Sequence, residues 1–431
     1  MNKKKIAVIG SGISGLSASF FLSKKYDVHL FEKNKLLGGH TRTVNFLDNL
    51  KNLLSIDTGF IVFNEINYPD LVSFFKYLEI KTKDSEMSFA VSCKNPNIEY
   101  GGTNFKSLFA QKKNIFSIKF LKLLFEINKL YKFCKNYDFK DINEQLTIEQ
   151  FLDKNNFSKE VRDLHIYPMI SSIWSTNNKD INKFPLVSFL QFFNNHNLFN
   201  LDKRPQWKFV AGGSYRYVEA LIKKNLFNIY TNFEIKKITR ENNKIQLIDS
   251  QNKKYVFDKI IFATHADQAI RLLDRMSNKE ADILSKFKYT KNKAYLHSDY
   301  NFMPKNIKAW SSWNFLQNLE HNNHFSLTYW MNKLQKINNS KNYFVSINPY
   351  KEPKNFIDST TFAHPIFNLQ TLSAQKKLGS IQGINNTFYC GSYCGYGFHE
   401  DGIQSAAYIS NKLNVDLPWK RPNEFKSRLN Y

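Results

Sequence analysis

Cysteine is scarce in this chain. The 431 residues hold four, Cys93, Cys134, Cys390 and Cys394, and none forms a C-x-x-C pair. Four thiols cannot staple a chain of this length, which excludes a disulfide scaffold and predicts a reducing, cytoplasmic compartment. Long apolar runs are missing too. No stretch approaches the ~20 uninterrupted apolar residues that span a bilayer, so the chain is expected to be soluble or at most to lie on a membrane surface. Acidic residues are few, 37 against 61 Lys and Arg, for a net charge of +24. The lysines are scattered among Asn, Ile and Phe, as AT-rich coding would give. They match no nucleic-acid motif, so no nucleic-acid partner is expected. Also missing are a Walker loop, a Ser/His/Asp nucleophile arrangement and a metal-ligand cluster, the ten histidines being dispersed. No metal is expected. With 42% hydrophobic and 16% aromatic residues, the chain has ample material for two or three folded domains.

What is present is concentrated at the two ends. Met1 to Lys5 is basic and precedes Ile6-Ala7-Val8-Ile9, an apolar run too short for a secretory signal and well suited to a buried parallel strand. Gly10-Ser11-Gly12-Ile13-Ser14-Gly15 follows as G-x-G-x-x-G, then a helix of small and apolar residues from Leu16. A second strand, Val28 to Phe31, ends at Glu32, with Lys33 beside it. Gly10 permits the tight turn, Gly12 lets backbone approach a pyrophosphate, and Gly15 lets helix and strand pack closely. The phosphates would meet the helix N-terminus. Glu32, 17 residues after Gly15, suits a ribose diol. Strand, turn, helix, strand and acid agree on a dinucleotide.

Gly38-Gly39-His40-Thr41-Arg42-Thr43 and Ile56-Asp57-Thr58-Gly59-Phe60 come next, and near the C-terminus Gly391 leads through Gly395-Tyr396-Gly397-Phe398-His399-Glu400-Asp401-Gly402 into a helix from Ile403 to Leu413. With these stretches the sequence resembles the flavin amine oxidase superfamily, which includes protoporphyrinogen oxidases and phytoene-desaturase-like enzymes. More narrowly it is similar to a bacterial NAD/FAD-binding, amine-oxidase-like branch, from Ile6 to about Leu413. The resemblance implies an α/β fold: a discontinuous Rossmann-type, glutathione-reductase-like FAD domain and a mixed sheet and helical substrate domain. It places FAD on the N-terminal turn, on Gly38 to Arg42, on Thr58, Gly59 and Phe60, on Ile235, Ala263 and Thr264, and on Gly391, Asp401, Gly402 and Ile403. Two departures stand out. His40 replaces the usual arginine, which predicts a weaker or pH-dependent pyrophosphate contact. Phe60 replaces a common glycine and would crowd the flavin or the substrate.

The implied domains are 1–70, 205–275 and 380–413 for FAD and 71–204 and 276–379 for substrate, with 414–431 as a C-terminal tail. His399 falls where amine oxidases place a flavin-facing aromatic. It reads either as a substrate-touching acid/base or as a brace of its loop, and Glu400 as a functional or a solvated acid. Lys293, or Asn292 before it, falls near a lysine that holds a water by the flavin. Trp174, Trp310, Trp313 and Trp330 all lie in the substrate segments and read as cavity or core. In residues 115–135, Phe116, Phe120, Leu123, Leu124, Ile127, Tyr131 and Cys134 recur at helical spacing, with Lys119, Lys122, Lys129 and Lys132 largely opposite. This is either an ordinary packed helix, the favoured reading, or a contact with an anionic membrane surface. The expected activity is hydride transfer from a substrate C–H to flavin N5. A small-molecule or lipid substrate is expected, first an unsaturated or methylated fatty acyl chain. An amine or polyamine oxidase and a flavin-binding scaffold without turnover are the alternatives.

Overall fold

A computed structural model describes residues 3–137, 143–175, 181–200, 204–318 and 324–431. The opening strand Lys5–Ile9 lies at the centre of a five-stranded parallel sheet. The order is Asn228–Tyr230, Asp27–Phe31, Lys5–Ile9, Lys259–Phe262, Thr387–Tyr389. Its apolar run is explained by burial on both faces. Ile6 and Val8 join one core, Ala7 and Ile9 another. The registers align Ile9 with Phe31 and Phe262, and Phe262 with Tyr389. The strands therefore end together, and Gly10, Glu32, Ala263 and Gly391 emerge from one edge. Ligands of open parallel sheets bind at such a carboxyl edge.

The first helix, Ile13–Leu22, is buried along its whole length, which is why its sequence is small and apolar all round. It packs against the last helix, His399–Lys412. A Cβ on Gly402 would come within 2.7 Å of the Ile13 side chain, so glycine sets the close approach of the two helices. Between strands of this sheet the chain makes an antiparallel excursion through Ile235–Glu241, Lys244–Asp249 and Lys254–Phe257.

The second large sheet has seven strands, ordered Asp358–Pro365, Tyr289–His297, Phe344–Ile347, His324–Trp330, Trp313–Asn318, Phe89–Cys93, Ile98–Gly101. Every pairing is antiparallel except that of Trp313–Asn318 with Phe89–Cys93. Helices Ile118–Lys135, Ile148–Lys154, Tyr167–Trp174 and Leu186–Asn195 form an aromatic-rich core with this sheet through Val91, Cys93 and Phe315. A short sheet joins Phe63–Asn64, Trp207–Val210 and Thr82–Asp84 and ties the two parts together.

Residues 414–431 are more than a tail. Arg421 pairs with buried Asp70 at 2.6 Å, and Arg428 is buried against the Tyr68 ring, 3.7 Å from Asp401. Glu400 is likewise no solvated acid. Fully buried, it accepts the backbone N–H groups of Asp70 and Leu71 at 3.0 and 2.9 Å, and so caps the helix Pro69–Tyr77.

Candidate cofactor and substrate site

A cavity of about 1450 Å³ runs from the carboxyl edge of the parallel sheet to the seven-stranded sheet. That exceeds the roughly 300–1,000 Å³ of a drug-sized pocket and suits a dinucleotide together with a second molecule. At one end lie Glu32, Lys33, Asn34, Phe233, Glu234 and Ile235, next come Gly10 to Ser14, and Gly391 to Tyr393 with Gly397 to His399 continue the wall.

The phosphate turn has the geometry its glycines predict. Gly10 adopts φ 98°, in the left-handed region that favours glycine. A Cβ on Gly15 would sit 1.8 Å from the Gly10 carbonyl oxygen, whereas a Cβ on Gly12 would meet nothing within 4 Å. Gly15 thus closes helix on strand from behind, while Gly12 faces open space. The helix begins at Gly12 without a capping side chain and without an acid in its first turn. Its leading N–H groups are thus free to bind an anion. The Glu32 carboxylate accepts from the Ser11 N–H and hydroxyl at 3.0 and 2.7 Å, which fixes it at the strand end.

The two glycine-bearing stretches enclose this turn. The Gly38 N–H donates to the Ser11 carbonyl at 3.0 Å, and a Cβ on Gly39 would lie 3.1 Å from the Gly12 Cα. The Thr58 and Phe60 N–H groups donate to the carbonyls of Arg42 and His40 at 2.9 and 2.8 Å. Asp57, which the sequence did not mark for any role, locks the assembly. Its buried carboxylate accepts from Thr43 Oγ1 at 2.6 Å, from both the Ser214 N–H and hydroxyl at 2.8 Å, and from Gln335 Nε2 at 3.0 Å. Burial raises its pKa to about 7.

Most of the expected cofactor residues line the cavity: Gly10 to Ser14, Glu32, Lys33, Gly38 to Arg42, Gly59, Phe60, Ile235, Ala263, Thr264 and Gly391. Five lie outside it. Gly15 and Gly402 are packing glycines, and Ile403 is buried in the core on the first helix's side. Thr58 receives the Arg42 guanidinium at 3.2 Å. Asp401 caps its own helix by accepting the Phe398 N–H at 2.7 Å. Arg42 lines the cavity, but its guanidinium is held by Asp358, with one contact at 3.0 Å.

Lys293 is a correction. Its strand alternates, and the lysine points outward, half exposed, over the Tyr295 ring and 3.7 Å from Glu352. Its neighbour Asn292 points inward, is buried, and contacts His364 Nδ1 at 2.6 Å. His364 does line the cavity, as do His40 and His265. The His40 ring stacks on Phe362 with 4.8 Å between centroids, and lies 5.2 Å from His364 and 6.3 Å from His265. Burial depresses all three, with repulsion from neighbouring histidines adding to it at His40 and His364 and from Lys33 and Arg271 at His265; His364 falls to about 4. His40 is therefore neutral at physiological pH and supplies no charge where arginine would.

His399 forms wall rather than a free acid or base. Its ring stacks on Phe60 at 3.7 Å, its Nε2 is 2.9 Å from Thr41 Oγ1 and 3.4 Å from the Tyr217 hydroxyl, and burial lowers its pKa to about 3. Cys390 and Cys394 are buried with raised pKa values, which removes thiolate chemistry. Of the substrate-segment tryptophans, Trp174 and Trp313 line the cavity; Trp310 and Trp330 pack edge-to-face beyond it. Trp207, Phe192, Phe362, Phe367 and Arg204 line it without any prior signal in the sequence. They come from distant segments and share no spacing.

Residues 8–78 match the family model of an NAD(P)-binding Rossmann-like domain. The chain is 29% identical over 206 residues to a 1-hydroxycarotenoid 3,4-desaturase from Flavobacterium sp. (strain P99-3), covering 46% of this chain and 39% of that protein. It matches less than half the length of the curated relatives it resembles. Among solved structures, the CLA-producing fatty acid isomerase from P. acnes superposes with TM-score 0.69 and 15% identity over 95% of this chain and 98% of that one. Cyclohexylamine oxidase from Brevibacterium oxydans IH-35A gives 0.64 and 14% over 96% and 100%. The chain is an α/β protein whose N-terminal Rossmann-like domain is built into the fold that these solved structures share.

Proposed function

We propose that this chain is an FAD-dependent oxidoreductase of the amine-oxidase-like type, acting on a small molecule with a long apolar segment. The observation that carries the cofactor is the cradle itself. An uncapped helix start, an open Gly12, a fixed Glu32 and a second glycine pair at 38–39 meet on one sheet edge. Bound there, FAD supplies a two-electron acceptor at N5 for a hydride from a substrate C–H. The chain's own part is positional. The first helix and the backbone of residues 10–14 hold the pyrophosphate, Glu32 the ribose, and Ile235 the adenine side. Phe60, His399 and Tyr393 wall the ring end against water. The division into an FAD domain (1–70, 205–275, 380–413) and a substrate domain (71–204, 276–379) belongs to this reading.

The substrate end favours an apolar chain over an amine. Met169, Ile173, Trp174, Phe192, Trp207, Trp313, Tyr329 and Phe367 line it. A cationic amine is held by a free carboxylate or, more weakly, by aromatic faces. Of the described carboxylates on the wall, Glu86 is paired with Lys333 at 2.9 Å and Glu219 with Arg216 at 3.1 Å, while Glu32 and Glu234 lie at the adenosine end. Arg204, exposed on the lining, suits the carboxylate of a fatty acid. A peripheral contact with an anionic membrane would bring such a substrate within reach.

The test is to purify the full chain, record its visible spectrum, and follow anaerobic bleaching on adding unsaturated fatty acids or polyamines. A yellow protein bleached by fatty acids is the expected result. Bleaching by polyamines alone selects the amine alternative, and a yellow protein bleached by neither selects the scaffold. A folded, colourless protein that takes up no FAD overturns the proposal.

A further inference from the structure

We infer that the face formed by residues 105–125 docks on an anionic lipid bilayer. The inference is independent of the cofactor reading, because these residues do not line the cavity. The helix Ile118–Lys135 already buries Phe120, Leu123, Leu130, Tyr131 and Cys134 against the core. An ordinary amphipathic helix would be polar on its other side. Here Ile118 is 83% exposed and Phe125 69%, with Leu121 also exposed between them, one helical stripe apart. In the preceding turn Phe116 is 87% exposed, and exposed Phe105 joins the same helix through Phe109, whose ring lies 4.6 Å from Phe105 and 5.9 Å from Phe120. These apolar side chains stand in solvent within 21 residues, and contiguous exposed apolar surface of this kind marks an interaction site.

The exposure is fixed by the fold. The Ser117 hydroxyl accepts the Phe120 N–H and caps the long helix, and Asn104 and Ser107 form a reciprocal cap at the short helix Phe105–Leu108. Phe105 and Phe116 are thus presented on braced turns.

Charge names the occupant. Residues 101–135 hold eight lysines and one acid, Glu126. Glu126 turns inward to Ser158, accepting its N–H at 3.2 Å and its hydroxyl. All eight lysines are exposed, and Lys119 and Lys122 directly follow Ile118 and Leu121 along the helix; stems of this kind can lie along apolar surface while the heads reach lipid phosphates. A second copy of this face would bring like charge against like charge. A bilayer rich in acidic headgroups offers an apolar interior and opposite charge together. Among the described residues no helix is long and apolar enough to cross a membrane, so the contact lies in the plane of the surface.

The test is flotation of the full chain with phosphatidylcholine vesicles, pure or with about one part in three phosphatidylglycerol. The protein should float with the anionic vesicles only and come off as salt rises. Phe116→Ser with Ile118→Ser should weaken binding at least about tenfold, and Lys112→Glu with Lys119→Glu by on the order of fivefold per lysine. Ile307→Ser, at an exposed apolar residue elsewhere, should change nothing. Near-ultraviolet circular dichroism and the melting temperature report that each variant is folded. The inference fails if the folded protein does not float, if both patch variants bind like the parent, or if Phe116→Ser with Ile118→Ser dissolves a dimer without affecting flotation. Flavin content should be unchanged throughout, and colourless protein should still float, so this result and the cofactor result separate.

Discussion

The two ends of the cavity are built on different physics. At the nucleotide end, backbone makes the contacts: a left-handed Gly10, a Gly39 packed 3.1 Å from Gly12, N–H groups at a helix start. At the substrate end, side-chain shape does the work, with aromatic rings contributed by the helices Tyr167–Trp174 and Leu186–Asn195 and by several strands of the seven-stranded sheet. A backbone cradle tolerates few residue types at each position. A ring-lined cavity tolerates many, provided volume and apolarity are kept. The first region should therefore break at single atoms, and the second should retune.

The sharpest break is at Gly15. A valine there forces a side chain into the Gly10 carbonyl, and the clash is with backbone that cannot step aside. Expected are the loss of bound flavin and a destabilisation of at least about 3 kcal/mol, read by denaturant melts and by visible absorbance. The paired control is Gly12→Ala, where a methyl meets open space. It should leave the melt unchanged and weaken FAD binding, about tenfold by occluding backbone from the pyrophosphate. Equal loss of stability at both positions would erase the distinction between a packing glycine and a contact glycine.

Next comes Glu32→Gln. Its two carboxylate oxygens accept from Ser11 and from Asn34, so the amide keeps one of these pairs and turns its NH2 group toward the donors of the other. FAD affinity should fall by roughly 10–100-fold, the value of a charge-assisted hydrogen bond, in a fluorescence-quenching titration.

This contrast explains what was legible in the sequence. The G-x-G-x-x-G turn, Glu32, and the 38–42 and 59–60 stretches all face one cavity because each glycine spacing encodes a backbone path. The parallel sheet was readable for a related reason, since strands buried on both faces are continuously apolar. Asp57 was not legible as a lock, because its partners Thr43, Ser214 and Gln335 lie up to 278 residues away. Nor was the aromatic wall, since Trp207, Phe192 and Phe362 share no period and in a chain this aromatic each reads as core. Helix periodicity found the packed face of residues 118–135 but placed Phe116 on it. The structure turns Phe116 out, because the helix starts two residues later, behind the Ser117 cap.

The substrate end should show its character in acid. His364, buried and depressed to about 4, faces His40, His265 and the neutral amide of Asn292, with no carboxylate contact described for it. Its folded pKa lies below the unfolded value of ~6.5, so the unfolded state binds the proton first. Stability is complete above about pH 6.5 and is lost as the pH falls toward 4. Asp57 works the other way: with its pKa raised to about 7, it favours the folded state as the pH falls through that value. The slopes oppose, so a difference measurement is needed. His364→Gln should flatten the acid side of the curve of melting temperature against pH relative to the parent and leave the neutral side within a few degrees.

The smallest effect is expected at Lys293, and it tests the strand register directly. In the strand Tyr289–His297 the side chains alternate, so Asn292 and Lys293 cannot both face the cavity. Lys293 sits in water with Glu352 3.7 Å away, a pair that solvent screens. Lys293→Ala should thus leave flavin content, turnover and stability close to the parent. Asn292→Ala removes one of the hydrogen bonds of Asn348, at 2.6 Å, and takes its contact from the buried His364 ring, at a cost of about 1–3 kcal/mol. If Lys293→Ala instead abolished flavin reduction, the strand would have to present its odd-numbered positions inward. That slip by one residue would carry Asn292, buried against His364 at 2.6 Å, to the opposite face. The contact of Asn292 with His364 and the exposure of Lys293 thus stand or fall together.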